Sequence, residues 1–415
     1  MQAIILSIGD ELVLGQTIDT NSAWISRELA AIGCAVAAHI TVADDQPQIE
    51  RAIAEAAARC DWLIVTGGLG PTEDDLTRSA LANVLGEPLE LDAAWLARMS
   101  EFFAGRNVPM PPSNRVQAMI PRGATPLQND AGTALGIAAR IGGCRVFVLP
   151  GVPKEMRVMF QQTVLPPMTA AADGAVILSR TLHTFGLGES SLAQKLGPLM
   201  QRDRNPSVGT TVANGIVSLR INSRFSSRQE AAEKLEETDR ACRQKLGELI
   251  FGQDEQTIQQ VVGQLLRGKA TVATAESCTG GLLAKMITDV PGSSDYFAYG
   301  WVTYSNQAKD ELLGVPQELI QQHGAVSEEV VLAMSVEARR HSGANYALAI
   351  SGVAGPDGGS EAKPVGTTWI ALAGPESVSA RRFVFGGDRE MVRDRAAKMA
   401  LTILRFALLR LPVPF

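Results

Sequence analysis

Three stretches of this 415-residue chain combine reactive side chains with glycines that let a ligand approach the backbone. The first is Thr66-Gly67-Gly68-Leu69-Gly70-Pro71-Thr72-Glu73-Asp74-Asp75-Leu76-Thr77. An apolar run, Trp62–Val65, ends in glycines, and the spacing predicts a helix from about Thr72 to Leu85 with Thr72 as N-cap. Bare N–H groups at Gly67, Gly68, Gly70 and Thr72 suit an anion, helped by the helix dipole. Glu73, Asp74 and Asp75 would repel a phosphate there unless a divalent cation lies between them. Taken alone, these acids simply complement the dipole of a first turn. Gly9-Asp10-Glu11, Asp19-Thr20-Asn21 and Asp44-Asp45 follow the first two apolar runs. In a parallel sheet such loops share one edge, so their carboxylates can meet the glycine loop. Each alone reads as a cap or a turn. Asn114-Arg115, Asn129-Asp130 and Lys154-Glu155 are lesser candidates of the same kind.

The second stretch is Glu276-Ser277-Cys278-Thr279-Gly280-Gly281, again strand, glycines, then helix. Ser277 and Thr279 are placed to cap that helix, and free N–H groups at Gly280 and Gly281 to hold a phosphate. Cys278 at a helix N-terminus would be acidified toward a thiolate. Its usual histidine base is missing from the neighbourhood, since His323 and His341 are distant in sequence. A second phosphate loop is offered by Gly352 and Gly355 in Ser351–Pro356, which also reads as a tight connection.

The third joins Pro291-Gly292-Ser293-Ser294 to Tyr304-Ser305-Asn306-Gln307-Ala308-Lys309. Serine and lysine can act as nucleophile and base without histidine, provided the lysine is desolvated or crowded by positive charge and so neutral. Gly386-Gly387-Asp388-Arg389 supplies an arginine that would do both this and hold a substrate anion. On residue types alone, the pair reads more simply as a turn serine and a surface lysine.

Strand-like runs alternating with amphipathic helices must position these groups. Ile4–Ile8, Ala35–Val42, Trp62–Val65 and Arg145–Leu149 read as strands, and this alternation predicts a parallel α/β sheet. Pro166-Pro167 and the alanines up to Gly174 read as its exit linker. From Val176 to Phe251 the order is βαββαβ, with a hairpin at Asn214-Gly215. This part has no GxxG loop of the KH type and balances its basic residues with acids, so it reads as a spacer or assembly module. From about Asp254 a second α/β layer structure begins, with strands at Ala270–Ala275, Tyr299–Tyr304, Tyr346–Ile350 and Thr367–Leu372 and a closing helix at Asp388–Leu408.

Composition narrows the partners. Hydrophobic residues make up 46% and charged residues 20%, which is the range of a folded chain. A net charge of −6 and only 5% aromatics argue against a nucleic-acid backbone or stacked single strands as partner. No uncharged apolar run reaches the ~18 residues of a membrane helix. The first residues show no signal-peptide layout, and the five cysteines form no Cys-x-x-Cys pair. A cytoplasmic, reduced protein is expected. Four histidines without a metal-ligand spacing make an imidazole zinc site improbable.

Taken together, Gly9-Asp10-Glu11-Leu12, Asp19-Thr20-Asn21, Thr66–Thr77 and Pro150–Met156 resemble the N-terminal domain of the CinA family, which is similar to the molybdopterin-binding fold of MoaB and MogA. Glu276–Gly281, Pro291–Ser294, Val302–Lys309, His323–Ser327, Ser351–Ser360, Lys363–Thr367 and Gly387-Asp388-Arg389 resemble the family's C-terminal domain, the PncC amidohydrolase. The resemblance implies an α/β protein of three domains: an MoaB/MogA-like sandwich over residues 1–172, a small βαββαβ domain over 173–253 and an α/β/α amidohydrolase over 254–415. It implies hydrolysis of nicotinamide mononucleotide to nicotinate mononucleotide and ammonia, with Ser294, Lys309, Tyr304 and Arg389 catalytic and no metal needed. Ser293 is the rival nucleophile. For the N-terminal domain it implies ADP-ribose pyrophosphatase activity with a divalent ion (Mg, Mn or Co) held by Asp74, Asp75 and Asp44. A binding module for pterin or nucleotide, and a partner in competence or DNA repair, are the alternatives. Small pyridine nucleotides and ADP-ribose are the expected ligands, nucleic acid and membrane are not, and a homodimer is expected because similar proteins are dimers.

Overall fold

The computed structural model describes residues 1–171 and 176–414. The expected boundary between residues 172 and 173, and the end of the alanine-rich linker, fall outside the described residues. The chain forms two compact units, one of Met1–Ser179 with Asn222–Leu235, the other of Arg180–Ile221 with Glu236–Phe415. The middle part of the sequence is thus divided between them.

In the N-terminal part, strands β1 (Gln2–Ile8), β2 (Ala35–Val42) and β3 (Trp62–Thr66) come first. A small antiparallel pair, β4 (Leu89–Leu91) and β5 (Met119–Pro121), stands apart. Strands β6 (Thr125–Leu127), β7 (Gly136–Ile141) and β8 (Cys144–Leu149) complete the main sheet, in the order β2-β1-β3-β8-β7-β6. The first four of these are parallel as expected. Strand β7 runs antiparallel to β8, because the tight Gly142-Gly143 turn makes a hairpin and not a crossover, and β6 in turn pairs antiparallel with β7. β1 is buried on both faces, so it reads as a continuous apolar run. Ile4, Leu6 and Ile8 pack with Ile49 and Ile53 on one side, while Ala3 and Ile5 pack with Ile25 and Leu29 on the other. The period of two thereby sorts one strand between two helical layers. Pro166 and Pro167 are no linker: they lie in helix Leu165–Ala171, which continues from a π turn at Phe160–Val164. A proline cannot donate to the preceding turn of a helix, and the π turn lies directly before these two.

The middle part has β9 (Val176–Phe185), β10 (Ser207–Ala213), β11 (Ile216–Phe225) and β12 (Ile250–Gln253), in sheet order β10-β11-β9-β12. Helices Glu189–Leu196 and Arg228–Leu246 supply the two crossovers, so the βαββαβ order holds.

The C-terminal sheet contains β13 (Val272–Glu276), β14 (Phe297–Val302), β15 (Tyr346–Gly352), β16 (Thr367–Ala373) and β17 (Val378–Val384), in the order β14-β13-β15-β16-β17. Strands β14, β13 and β15 are parallel; β16 and β17 are antiparallel additions. Sequence reading missed β17, where the adjacent charges of Arg381 and Arg382, one on each face, hide the alternation of a sheet edge. Leu348 and Ile350 face helices Ile258–Leu266 and Arg389–Leu408, while Ala347 and Ala349 face helix Glu328–Ser342. This is the expected α/β/α layering. The carboxyl ends of β13, β14 and β15 open on one edge, where ligands of such sheets bind.

Candidate active site

The turn after β13 carries the chemistry of the C-terminal part. Glu276, 1% exposed, turns its carboxylate under the next helix and accepts from the N–H groups of Leu283 (3.0 Å) and Ala284 (2.8 Å). It satisfies the helix N-terminus that Ser277 and Thr279 were expected to cap. Their hydroxyls are thereby released. Thr279 Oγ1 is buried without a partner, and Ser277 Oγ lies 3.1 Å from Lys309 Nζ.

Lys309 sits in helix Asn306–Leu313, which starts on the Ser305 side chain as N-cap. Its Nζ reaches back to Ser277 and to the Thr303 carbonyl (2.8 Å), and the residue is 1% exposed. Burial pulls its ammonium down to about 8, against a small opposing effect from Cys278. A lysine in this state is partly neutral near neutral pH and can take a serine proton. Burial pushes the Cys278 thiol up to about 11, so Cys278 is a packed side chain and not a thiolate.

The expected Ser294–Lys309 pair is not brought together. Ser293 and Ser294 lie in a short turn, Ser293–Asp295, that enters β14, whereas Lys309 follows the strand's far end. The six residues of β14 put about 20 Å of extended chain between them. Ser294 is exposed and Ser293 is buried at that opposite edge. Tyr304 and Arg389 do meet: the Arg389 guanidinium donates to the Tyr304 hydroxyl (2.8 Å) and to the Gly355 carbonyl (2.7 Å). Strand β14 ends two residues before Tyr304, which leaves that ring 58% exposed above the sheet edge. Arg393 donates to the Thr279 carbonyl at 2.8 Å, so a second guanidinium lies over the turn. Gly280 and Gly281 have φ of 58° and 90°, which only glycine adopts without strain. Gly352 is a packing residue here: a Cβ would come within 2.8 Å of the Thr367 carbonyl and 3.1 Å of Cys278 Sγ.

The glycine loop of the N-terminal part differs from expectation. The helix begins at Thr77 and not at Thr72. Asp75 folds back into the intervening loop and accepts from the N–H of Gly70 (2.6 Å), the N–H of Thr72 (2.8 Å) and the Thr72 hydroxyl. Donors read as a phosphate cradle are held by the chain's own carboxylate. Gly67 and Gly68 have φ of 103° and 65°, and a Cβ on either would strike the Ile8 carbonyl or Thr77 Oγ1. Sequence reading missed Arg78, 1% exposed, which donates to the Gly70 carbonyl beneath the loop while its Nε and Nη1 have no partner. Burial pulls this guanidinium down to about 10, and Asp75 opposes that. Its place in an apolar stripe, at the second residue of the helix, was the available signal.

A cleft of about 480 Å³ lies over this loop, lined by Glu11, Asp44, Asp74, Asp75 and Glu155 and by no lysine, arginine or histidine. Asp44 exchanges hydrogen bonds with Asp10, and partial burial with the charges of Asp10, Glu11 and Asp75 holds its carboxyl above the usual range. Asp19 and Asp45 are N-caps, accepting from the N–H groups of Ser22 and Gln48, so the plain reading of those two acids is the right one. The oxygen donors suit a hard divalent ion in kind. In arrangement they do not: among the described residues no three Asp, Glu, His or Cys side chains stand close enough to hold a metal. Asp75 is engaged by the loop, and Glu155 accepts from Asn129 at 2.6 Å. No step is therefore routed through a metal. No helix among the described residues is long and apolar enough to cross a membrane.

Comparison with known proteins divides the chain in the same three parts. Residues 4–170 match the family described as "Probable molybdopterin binding domain", 179–252 "Damage-inducible protein CinA KH domain" and 254–408 "CinA C-terminal domain". A CinA-like protein of Geotalea uraniireducens is 43% identical over 417 residues, covering 99% of this chain and 98% of its own. The chain belongs to the CinA family. A CinA-like protein of Geobacter sulfurreducens is likewise 43% identical, over 99% of this chain and 100% of its own. A solved CinA of unknown function from Thermoplasma acidophilum is 36% identical, covering 39% of this chain and 94% of that one, with a TM-score of 0.36. The middle part, read from its sequence as a spacer or assembly module, is similar to a CinA KH domain. It still lacks the GxxG loop with which KH domains clamp a nucleic-acid backbone.

Proposed function

We propose that the C-terminal site hydrolyses the carboxamide of nicotinamide mononucleotide, with Ser277 as nucleophile in place of Ser294. The observation that carries this is the 3.1 Å approach of Ser277 Oγ to a buried Lys309 with a lowered pKa. The substrate is the one the CinA C-terminal resemblance implies. Ser277 attacks the carboxamide carbon while neutral Lys309 takes its proton. Lys309 returns that proton to the departing ammonia, and water then cleaves the acyl-enzyme with Lys309 again as base. Arg389, oriented by Tyr304 and the Gly355 carbonyl, stabilises developing negative charge on the substrate oxygen. The test is ammonia release from nicotinamide mononucleotide in EDTA, wild type beside Ser277→Ala and Ser294→Ala. The reading requires loss in the first variant and retention in the second. Loss only in the second would restore Ser294.

One observation favours a second activity. An acidic cleft without a basic side chain repels a phosphate, and its carboxylates are not grouped to hold a metal of their own, so ADP-ribose enters only as a complex that brings its divalent cation with it. Calorimetry with ADP-ribose, with and without Mg²⁺, tests this: tight binding without the ion would refute it. Binding without product would mark the domain as a nucleotide-holding module.

A further inference from the structure

A cleft of about 610 Å³ opens beside Arg389, lined by Leu282, Arg389, Met391, Arg393 and Arg395 and, from the middle part of the chain, by Asn214. Asn214 and Gly215 form the tip of the hairpin joining β10 and β11, with φ of 49° and 77°, the left-handed pair of a tight two-residue turn. The tip is pinned. Lys398, 8% exposed, donates to the Asn214 carbonyl (3.0 Å) and to Asp394 (2.6 Å). A Cβ on Gly215 would lie 3.3 Å from Arg395 Cγ and 3.1 Å from Phe185. Phe185 and Phe251 are buried in the same core as Val392 and Ala396, with Ile216 packed against it. The hairpin is a fixed wall of the cleft.

The charges around it are unevenly spent. Asp394 is held by Lys398, and Asp388 caps helix Arg389–Leu408 by accepting from the Met391 N–H (2.8 Å). Glu390 is exposed at the rim. Arg393 uses one Nη on the Thr279 carbonyl, two residues from Ser277. Arg395 uses Nη1 on the Gly386 carbonyl (2.7 Å), and its Nε is buried with no partner. Two guanidinium edges and a side-chain amide thus line a cleft that Arg393 joins to the reactive turn through the Thr279 carbonyl. That chemistry suits a phosphate, which arginine takes through paired N–H donors.

We infer that the hairpin tip is part of the substrate site, with Asn214, Arg393 and Arg395 holding the phosphate end of the mononucleotide. The inference rests on the amidase reading for the identity of that nucleotide. It makes the middle domain a determinant of specificity.

The test uses the full-length chain and two substrate pairs. Asn214→Asp places a carboxylate where the phosphate would sit, and Asp accepts the same left-handed backbone. Arg395→Met removes one fork, and Arg395→Lys restores the charge. For each, kcat/KM is measured with nicotinamide mononucleotide and with nicotinamide riboside, which lacks the phosphate. The affinity for nicotinate mononucleotide and nicotinate riboside is measured by calorimetry. Asn214→Asp and Arg395→Met are expected to lower the mononucleotide-to-riboside preference about tenfold, one charge-assisted pair's worth, through KM more than kcat. Arg395→Lys should recover part of it. An unchanged preference, or equal losses with both substrates, overturns the inference. Should the wild type bind nicotinate mononucleotide yet release no ammonia, the amidase reading falls and the phosphate wall is judged on calorimetry alone. Should it bind neither nucleotide, both fall.

Discussion

The turn after β3 and the turn after β13 are built from one local pattern, a buried strand, a run of glycines and a helix start. They end in opposite electrostatics. After β3, the loop donors of Gly70 and Thr72 are taken by Asp75, and the cleft above is lined by five carboxylates and no base. After β13, Glu276 is buried beneath the helix, and Lys309 and Arg393 reach the turn from elsewhere in the chain. A strand–glycine–helix turn is therefore only a frame. Whether it receives an anion directly, or only with a cation, depends on what other elements bring to its rim.

The largest effect that sharpens this contrast is at Ser277. Ser277→Ala should lower amide hydrolysis about a thousandfold or more, read as ammonia release, while circular dichroism and melting stay unchanged. Next comes Lys309→Met, expected to cost about a hundredfold to ten-thousandfold as loss of a general base. The wild-type rate should accordingly rise with pH through about 8, because the neutral lysine is the active form and its ammonium is held low by burial. A flat profile from pH 6.5 to 9 would remove Lys309 from the proton path. Arg389→Lys keeps the charge but loses the fork that joins the Tyr304 hydroxyl to the Gly355 carbonyl, and should cost about tenfold to a hundredfold in kcat/KM.

Smaller effects probe the N-terminal loop. Asp75→Ala removes acceptors from Gly70 and Thr72 and the charge that opposes the burial of Arg78, and should destabilise the fold by about 1–3 kcal/mol. It should also improve metal-free ADP-ribose binding, since the vacated donors face a cleft with one carboxylate fewer. If thermal stability is unchanged, the loop does not depend on its own acid. The smallest expected effect is at Ser294→Ala, within about twofold for the amidase, as for an exposed turn residue away from the site.

Much of this was legible in the residues. The buried runs of β1 and β3 and the βαββαβ order emerge where patterning placed them, and Tyr304 meets Arg389, the pair that the family resemblance names together. The approach of Ser277 to Lys309 did not emerge, although the clue was present. A strand was read between Ser294 and Lys309, and a residue before a strand cannot share an edge with one after it. Ser277 follows β13, a parallel neighbour of β14, and so shares the edge from which Lys309 reaches in. Ser is a common N-cap, which makes capping the plain sequence reading of Ser277, and only the buried Glu276 carboxylate shows that task already filled. The helix start at Thr77 was equally hidden. Thr72 followed by acids is a good cap sequence, and Asp75 turning back on the loop is a choice among local hydrogen bonds that sequence does not rank.

The sequence by itself determined most of the strands and helices and which loops carry glycine and acid, because period and turn chemistry are local properties, and its motifs carried the resemblance to the CinA family. Tertiary structure alone decided that Lys309 is desolvated and faces Ser277, that Asp75 fills its own loop, and that Arg78 lies buried beneath it. A pKa and a hydrogen bond depend on which distant groups exclude water and supply charge, and that is settled only when the sheets are packed.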